Sequence, residues 1–413
     1  MSSTTDERAS PVARPELGTG ETKLRSACTC CGAAGMEVFY SIDRVPTNSC
    51  ILLPTREEAL AYPCGDVRLA FCRRCGFISN IAFDAKLTEY SGRYEETQAF
   101  SPTFNAFHDK LAHDLVRRHG LRNKELIEIG CGKGEFLRLL CSLGPNRGLG
   151  FDPGYSEARG ESQGTTGFRV IRDFFSEKYT DQAADFVCCK MTLEHIATPE
   201  VFLRAAVRTV RDDGVVFIQV PESLRIVRDC AFEDIYYEHC SYFSAGSLGR
   251  LFNQLGLRVL STQIEYDGQY LTVEATLPGA GRPNAVEPAL DDLDVLASHV
   301  STFPQRMQAK LQEWQEHLAR WKTQGKRAVI WGSGSKGVSF LTGVPGEDVI
   351  SHAVDINPYR HGYFMPTTGQ QIVGPQQLSD IRPDVVIVMN RVYLAEIRAQ
   401  LGELGLDPEV LAL

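Results

Sequence analysis

Short apolar runs alternate with longer amphipathic stretches through the middle of the chain. Four runs have the length and β-branched content of buried parallel strands: ELIEIG (125–130), RGLGFD (147–152), ADFVCCK (184–190) and VVFIQV (215–220). The helical spacing of apolar residues appears between them, in EFLRLLCSL (135–143) and PEVFLRAAVRTV (199–210). Strands that alternate with helices in this way predict an α/β fold with a doubly wound sheet.

The same alternation returns near the carboxyl end. PGAGRPNAVEP (278–288) is rich in glycine and proline and predicts a linker, and residues 291–324 then show helical spacing. Three strand-like runs follow: RAVIWGSGSKG (327–337), ISHAVDINPYRHG (350–362) and DVVIVMN (384–390). This pattern predicts a smaller, Rossmann-like α/β domain at the carboxyl end.

Composition limits the class of protein. With 413 residues, 43% hydrophobic and 23% charged, the chain is typical of a globular protein with two or three domains. A net charge of −9 argues against nucleic acid as a partner, since a nucleic-acid binder needs a basic face. No apolar run approaches the roughly 20 residues that span a bilayer. The first 25 residues have no apolar signal core, which predicts a disordered leader and a cytoplasmic location.

The thirteen cysteines are unevenly placed, and seven of them precede residue 100. Two C-x-x-C-G turns stand out, formed by Cys28 with Cys31 and by Cys72 with Cys75. Each turn places two thiolates on one side of a tight loop, and four thiolates satisfy tetrahedral Zn²⁺ in a closed, structural site. Free buried thiols or a redox pair are the alternatives, and Cys30 is an alternative ligand in the first turn.

A glycine-rich turn follows the first predicted strand of the core. ELIEIGCGKGEFLRLL carries Glu128, Gly130, Gly132 and Gly134 between a strand and a helix. The glycines let the backbone approach a ligand, and the helix presents free N–H groups. The turn is neither a P-loop nor a G-x-G-x-x-G dinucleotide motif. Asp152 ends the next strand, where a carboxylate can accept both hydroxyls of a ribose.

This E-x-G-x-G-x-G turn with its acid resembles the motif of class I S-adenosylmethionine methyltransferases. The resemblance implies that Asp173 lies near the adenine of the cofactor, and that Met191 and Thr192 lie near its methionine part. The cofactor carries its methyl group on a sulfonium, so the protein must hold a nucleophile in line with it.

The order of motifs resembles one family in particular, the zinc-containing sugar C-methyltransferases, which methylate C-3 of nucleotide-linked 4-keto-deoxyhexoses. The motifs are the two CxxCG turns, EIGCGKGEF, LEHI, YYEHCSYFS and WGSGSKG, and the resemblance extends from about residue 26 to the end. It implies that His239 is the general base, that Tyr236 and Glu238 line the substrate pocket, and that His195 contributes to it. It also implies a tyrosine from the segment EYSGRYEET, either Tyr90 or Tyr94.

The chemistry fits these residue types. A C–H beside a ketone is a weak acid, and a base that titrates near neutrality suits its removal. Tyrosine hydroxyls can donate to the enolate oxygen, and the enolate carbon then attacks the methyl group in line. For His239 the structural alternative is a histidine held by Glu238. The chain also departs from the family at EYDGQYLTVEA (265–275), where Gln269 and a single glycine replace a doubled glycine and an arginine.

The second glycine loop, in VIWGSGSKGVSFL, predicts a site for an anion such as a nucleotide diphosphate. The residues expected to bind this part of the substrate are Gly332, Ser333, Gly334, Ser335, Lys336, Asp355 and Asn390. The alternative is a domain used for packing alone.

These inferences divide the chain into five segments: a disordered leader (1–25), a zinc-binding module (26–100), an S-adenosylmethionine-binding core (101–280), a linker with a long helix (281–325) and a Rossmann-like substrate-binding domain (326–413). The predicted partners are the two cofactors, S-adenosylmethionine and structural Zn²⁺, and a small-molecule substrate, in a monomer or homodimer. Two alternatives stay open. One is O- or N-methylation of another metabolite on the same scaffold, and the other is a zinc-ribbon RNA-binding or interaction protein with an inert core.

Overall fold

The computed structural model describes residues 25–156, 167–281, 292–346 and 348–413. The predicted leader, up to residue 24, and the linker residues 282–291 lie outside the described residues. Among the helices that are described, none is both long and apolar enough to cross a membrane.

Strands and helices follow one another in three groups. Before residue 100 lie β1 (Glu37–Pro46), α1 (Arg56–Leu60), β2 (Cys64–Phe71) and β3 (Ile78–Asn80). The second group comprises α2 (Pro102–His119), β4 (Glu125–Ile129), α3 (Glu135–Leu143), β5 (Arg147–Phe151), β6 (Phe168–Ile171), β7 (Ala184–Lys190), α4 (Pro199–Val207), β8 (Val210–Pro221), α5 (Ser223–Asp229), β9 (Ser241–Tyr242), α6 (Ala245–Gln254), β10 (Arg258–Glu265) and β11 (Tyr270–Thr276). The third comprises α7 (Leu293–Thr323), β12 (Ala328–Trp331), α8 (Ser335–Gly343), β13 (Ile350–Val354), β14 (Gln371–Val373), α9 (Leu378–Ile381), β15 (Val385–Val388), α10 (Leu394–Glu403) and β16 (Glu409–Ala412).

The core sheet has the order β10-β11-β8-β7-β4-β5-β6. The strands from β4 to β8 are parallel, and the hairpin β10–β11 adds to β8 in the antiparallel direction. Both faces are covered, because neighbouring residues of β4 enter different apolar clusters. Leu126 packs with Leu115 and Phe136 of α2 and α3, whereas Ile127 packs with residues of α4 and α6 on the other face. The predicted doubly wound Rossmann-like core is confirmed.

The carboxyl-terminal sheet is entirely parallel, in the order β14-β13-β12-β15-β16. Its central strand β12 alternates in the same way: Ile330 faces the long helix α7, and Trp331 faces the side of α10. The apolar side chains of α7 also pack against β1 and β2, so this helix connects the first and last groups of elements. The smaller Rossmann-like unit is therefore also confirmed.

The segment before residue 100 contains more strand than its sequence suggested. The strands β1, β2, β3 and β9 form an antiparallel sheet, and β9 comes from the core segment. The pairing of β1 with β2 has two irregularities of register, which interrupt the alternation of apolar and polar residues by which a strand is recognised.

One predicted helix boundary is wrong. The helix expected over 199–210 ends at Val207, and Val210 already begins β8, where it pairs with Ala184 of β7. An apolar residue at position 210 fits the helical spacing and the strand equally well, and only the neighbouring strand decides between them.

Candidate active site

A cleft of about 1210 Å³, including the part open to solvent, lies where the carboxyl ends of the two parallel sheets meet. Its walls include Met191 after β7, Pro221 at the end of β8, Gly332 after β12 and Asn390 after β15. Open α/β sheets bind ligands beyond the carboxyl ends of their strands, at the point where strand order reverses. The two sheets therefore place two such sites around one cavity.

The first glycine loop connects β4 to α3. Gly130, Gly132 and Gly134 have φ angles of 71°, 54° and 78°, in the left-handed region that glycine adopts without strain. A Cβ atom at Gly130 would lie 2.0 Å from the hydroxyl oxygen of Thr192, so a side chain cannot be accommodated there. Thr192 thus contacts the loop from the end of β7, and Met191 beside it lines the cleft.

Asp152 lies beside this loop at the end of β5. Its carboxylate accepts hydrogen bonds from the amides of Gly132, at 2.9 Å, and Gly154, at 2.8 Å. Burial raises the pKa of Asp152, and the two amides oppose this effect. Since a carboxylate has about four acceptor positions, capacity remains for the two hydroxyls of a ribose.

Of the predicted cofactor residues, Met191 lines the cavity itself, and the three loop glycines, Asp152 and Thr192 contact one another next to it. Two predicted residues belong to neither group. Glu128 is buried within β4, where burial raises its pKa to about 8. Asp173 lies on the surface after β6, where its carboxylate accepts from the hydroxyl of Tyr179 at 2.7 Å and pairs with Lys178. Neither is among the residues that line the cavity.

The segment between α5 and α6 carries the predicted base. The hydroxyl of Tyr236 lies 2.6 Å from Nε2 of His239, and both side chains are buried. Tyr236 also lines the cleft, so it lies between the histidine and the cavity. Burial lowers the pKa of His239 well below its usual value, and the neighbouring ring of His195 lowers it further. The imidazole of His239 is therefore neutral at physiological pH.

Both candidate tyrosines reach this site, with different partners. The hydroxyl of Tyr90 lies 2.9 Å from Nδ1 of His195, whereas the hydroxyl of Tyr94 donates to Glu238 at 3.0 Å. Glu238 also accepts from the hydroxyl and the amide of Ser49, at 2.5 and 3.0 Å. This carboxylate binds the first segment of the chain and not His239, so the structural alternative for His239, a histidine held by Glu238, is wrong.

Sequence reasoning did not identify Glu194, which lies next to His195 in the LEHI motif. One of its carboxylate oxygens lies 3.9 Å from Nε2 of His239, and neither oxygen has a hydrogen-bond partner among the described residues. Burial raises the pKa of Glu194 to about 8, so the group is mainly protonated at neutral pH. The position of Glu194 beside His195 in the LEHI motif was the signal by which the sequence could have identified it.

The second glycine loop borders the cleft from the opposite sheet. Most of the predicted substrate residues line the cavity, namely Gly332, Gly334, Ser335, Lys336, Asp355 and Asn390. Ser333 does not line it: its hydroxyl donates to Asp355 at 2.5 Å, and the guanidinium of Arg360 donates to its carbonyl at 2.7 Å. Ser333 therefore fixes the loop from behind.

Several cleft residues were not identified from the sequence, although Glu96 and Thr97 stand in EYSGRYEET and Tyr270 stands in EYDGQYLTVEA. They are Cys50, Glu96, Thr97, Tyr270, Asn357, Arg360 and Tyr393. Ser49 was also missed, although its hydroxyl lies 2.7 Å from that of Ser335 and so connects Glu238 to the second glycine loop. Only the folded chain brings these segments together.

The four cysteines predicted to bind metal form one cluster. The sulfur atoms of Cys28 and Cys75 are 3.7 Å apart, as are those of Cys31 and Cys72, and all four lie within 4.8 Å of one another. Two thiolates bound to one Zn²⁺ ion at about 2.3 Å in a tetrahedral arrangement lie about 3.8 Å apart, so this donor set fits the ion. Cys30 is not part of the cluster.

Comparison with known proteins agrees with this geometry. Residues 104–262 match a family model described as a methyltransferase domain, and residues 290–406 match one described as a C-methyltransferase C-terminal domain. The C-methyltransferase NovU of Streptomyces niveus is 26% identical over 348 residues, which cover 79% of this chain and 80% of NovU.

Solved structures are similar over a smaller part of the chain. Magnesium protoporphyrin IX methyltransferase of Synechocystis PCC 6803 with bound S-adenosylhomocysteine has a TM-score of 0.35 and 13% identity, and the match covers 42% of this chain and 84% of that one. The 1,6-didemethyltoxoflavin-N1-methyltransferase of Burkholderia thailandensis has a TM-score of 0.34 and 18% identity, with 41% and 77% covered.

The two family models together cover most strands of both sheets, and NovU matches most of the chain. The first glycine loop and Asp152 have the geometry that a nucleoside cofactor requires. The cleft beside them has room for a small-molecule substrate. The chain is an S-adenosylmethionine-dependent methyltransferase, and over most of its length it is similar to a C-methyltransferase.

Proposed function

We propose that this protein transfers a methyl group from S-adenosylmethionine to C-3 of a nucleotide-linked 4-keto-deoxysugar. The observation that supports this most strongly is the buried contact of 2.6 Å between Nε2 of His239 and Tyr236, which lines the cleft. A carbon nucleophile needs a base, because a C–H beside a ketone is a weak acid, whereas an oxygen or nitrogen acceptor already carries a lone pair.

In the proposed reaction His239 acts through Tyr236, which lines the cleft: the tyrosine oxygen takes the proton from C-3 while the tyrosine's own proton moves to Nε2 of His239. The C–H bond breaks, its electron pair enters the enolate, and the imidazole gains one proton. The depressed pKa of His239 keeps it neutral and ready to accept this proton. Glu238, held by Ser49 and Tyr94, keeps the loop that carries the base in position.

The hydroxyl of Tyr90 then stabilises the developing negative charge. Burial raises the pKa of Tyr90 well above normal, so it stays protonated and can donate to the enolate oxygen. S-adenosylmethionine supplies an electrophilic methyl group, and the enolate carbon forms its new bond in line with the sulfur–methyl bond that breaks.

The second glycine loop is proposed to bind the nucleotide diphosphate of the substrate. Gly334 and Ser335 stand at the N-terminus of α8, whose free N–H groups favour an anion. The ammonium group of Lys336 lies beside them at the wall of the cleft. Asp234 accepts from this ammonium at 2.5 Å and fixes its position.

We propose that Cys28, Cys31, Cys72 and Cys75 bind a structural Zn²⁺ ion. The four thiolates leave no coordination position open, so the ion holds the first segment together and takes no part in the reaction. The predicted domain boundaries, cytoplasmic location and monomeric or homodimeric state stay predictions.

The test is a mass-spectrometric assay of the full chain with S-adenosylmethionine and a panel of nucleotide-linked 4-keto-deoxysugars. We expect one added methyl group on carbon, located by NMR. Without the methyl donor, in deuterated water, we expect deuterium to enter at C-3, since proton removal precedes methyl transfer. A methyl ether or methylamine product with no deuterium uptake would instead favour O- or N-methylation.

A further inference from the structure

Glu96 lies on the wall of the cleft, in the loop that precedes α2. Its Oε1 atom is so close to the first glycine loop that a Cβ atom at Gly132 would lie 2.8 Å from it. Its Oε2 atom lies 3.4 Å from Nζ of Lys133 in the same loop. The carboxylate therefore stands against the first glycine loop.

The charges around this position match one end of that donor. Glu96 and Lys133 place a carboxylate and an ammonium side by side, and Nζ of Lys133 is held further by the carbonyl of Tyr94 at 3.0 Å. The methionyl end of S-adenosylmethionine carries the complementary pair, an α-ammonium and an α-carboxylate. Asp152, the neighbouring acid, already accepts two backbone amides and is placed for the ribose.

We propose that Glu96 binds the α-ammonium group at the methionyl end of S-adenosylmethionine. A hydrogen bond between two charged groups in a cleft is stronger than one between neutral groups, so this contact contributes to cofactor affinity. The inference rests on the proposed function, in which S-adenosylmethionine is the methyl donor.

The contact also makes cofactor binding depend on pH. Burial raises the pKa of Glu96 to about 7; Lys133 opposes this effect, while Asp152 and Glu95 add to it. Only the ionised carboxylate attracts an ammonium, so affinity should rise as the pH rises through neutrality and fall as Glu96 becomes protonated. Removal of the carboxylate should remove this dependence.

The experiment is calorimetric titration of the full chain with S-adenosylhomocysteine, S-adenosylmethionine and 5′-methylthioadenosine, which lacks the amino-acid end. We expect Glu96→Gln to weaken binding of the first two roughly 10- to 100-fold and to leave 5′-methylthioadenosine unaffected. Glu89→Gln is the matched control, since Glu89 precedes Glu96 in the same segment and pairs with Arg93 at the surface. It should change none of the three affinities.

The outcomes are separable. Unchanged affinity for S-adenosylhomocysteine in a Glu96→Gln protein of normal unfolding temperature would overturn the inference. If Glu96→Gln weakened the binding of all three ligands equally, the role of Glu96 would be structural. If it weakened the binding of S-adenosylmethionine alone, the contact would be with the sulfonium. Either result would also overturn the inference. If the wild-type protein bound none of the three, the methyl donor itself would be in error.

Discussion

The two glycine loops of this protein begin alike and are completed differently. Each follows the middle strand of five parallel strands, leads into a helix and has an acid at the end of the neighbouring strand. Asp152 accepts the amides of Gly132 and Gly154. Asp355 accepts three hydrogen bonds, from the amide and hydroxyl of Ser333 and the amide of Asn357, and has Arg360 at 3.7 Å.

The difference decides what each loop can bind. About two of the four acceptor positions of Asp152 remain for ligand hydroxyls, whereas those of Asp355 are almost filled by the protein itself. The first loop is thus suited to a ribose. The second uses its acid to fix its own backbone and presents Ser335 and Lys336 to the cleft. One backbone motif therefore supports two kinds of site.

The largest expected effect distinguishes the first segment of the chain, which the proposed Zn²⁺ ion stabilises, from the carboxyl-terminal sheet. Cys72→Ser should abolish binding of one Zn²⁺ ion and lower the free energy of unfolding by more than about 5 kcal/mol, because metal binding and folding are coupled. The cysteines pack on one face of the core sheet, so hydrogen exchange should rise there before it rises in β12 to β16. Cys30→Ser, which leaves the cluster intact, is the control. A stable, metal-loaded Cys72→Ser protein would contradict the assignment.

The second prediction tests whether the chemistry lies on the side of the first loop. His239→Gln should lower kcat by about 10²- to 10⁴-fold, since the base is lost, and should leave the Kd of S-adenosylmethionine unchanged. The depressed pKa of His239 means that wild-type activity should persist below pH 6.5 and fall only at lower pH, where His239 becomes protonated. His113→Gln, on the exposed face of α2, is the control. Normal kcat in His239→Gln would exclude this base.

The third prediction compares the two acids directly. Asp152→Asn should weaken S-adenosylhomocysteine binding about 10- to 100-fold, because the amide group accepts fewer hydrogen bonds from a ribose. Asp355→Asn should leave that affinity unchanged and lower stability by about 1–3 kcal/mol, since Ser333 and Arg360 lose their partner. Calorimetric titration and thermal unfolding of both variants measure these effects. Equal loss of cofactor affinity in both would remove the distinction between the loops.

The smallest expected effect concerns the substrate side. Lys336→Met should raise the KM of the sugar nucleotide about tenfold and leave kcat and cofactor affinity nearly unchanged, since the ammonium binds ground state and transition state alike. Steady-state kinetics with both substrates measures this change. Lys326→Met, at a surface pair with Glu409, is the matched control. A fall in kcat at constant KM would assign Lys336 to the chemistry instead.

Much of the fold and of the candidate site could be predicted from the sequence, because the patterns that indicate them are local. Most of the strands and helices around the first loop, as well as the two cysteine turns and both glycine loops, follow from periodicity and from residues a few positions apart. The partners of Tyr90 and Tyr94 could not be predicted, because their hydroxyls meet residues more than 100 positions away in the chain. The sequence predicts that Ser333 binds the substrate, but Asp355 and Arg360 hold it away from the cleft, and no local pattern indicates this direction.

The sequence by itself determined the two α/β units and the turns of the cysteine cluster, since backbone preference and residue chemistry are properties of short segments. Only the tertiary structure decided that Glu238 binds Ser49, that Glu194 lies near His239 without a hydrogen-bond partner, and that Glu96 lies against the first glycine loop. Each of these contacts joins segments far apart in the chain, and the packing of the sheets fixes their distances and burial.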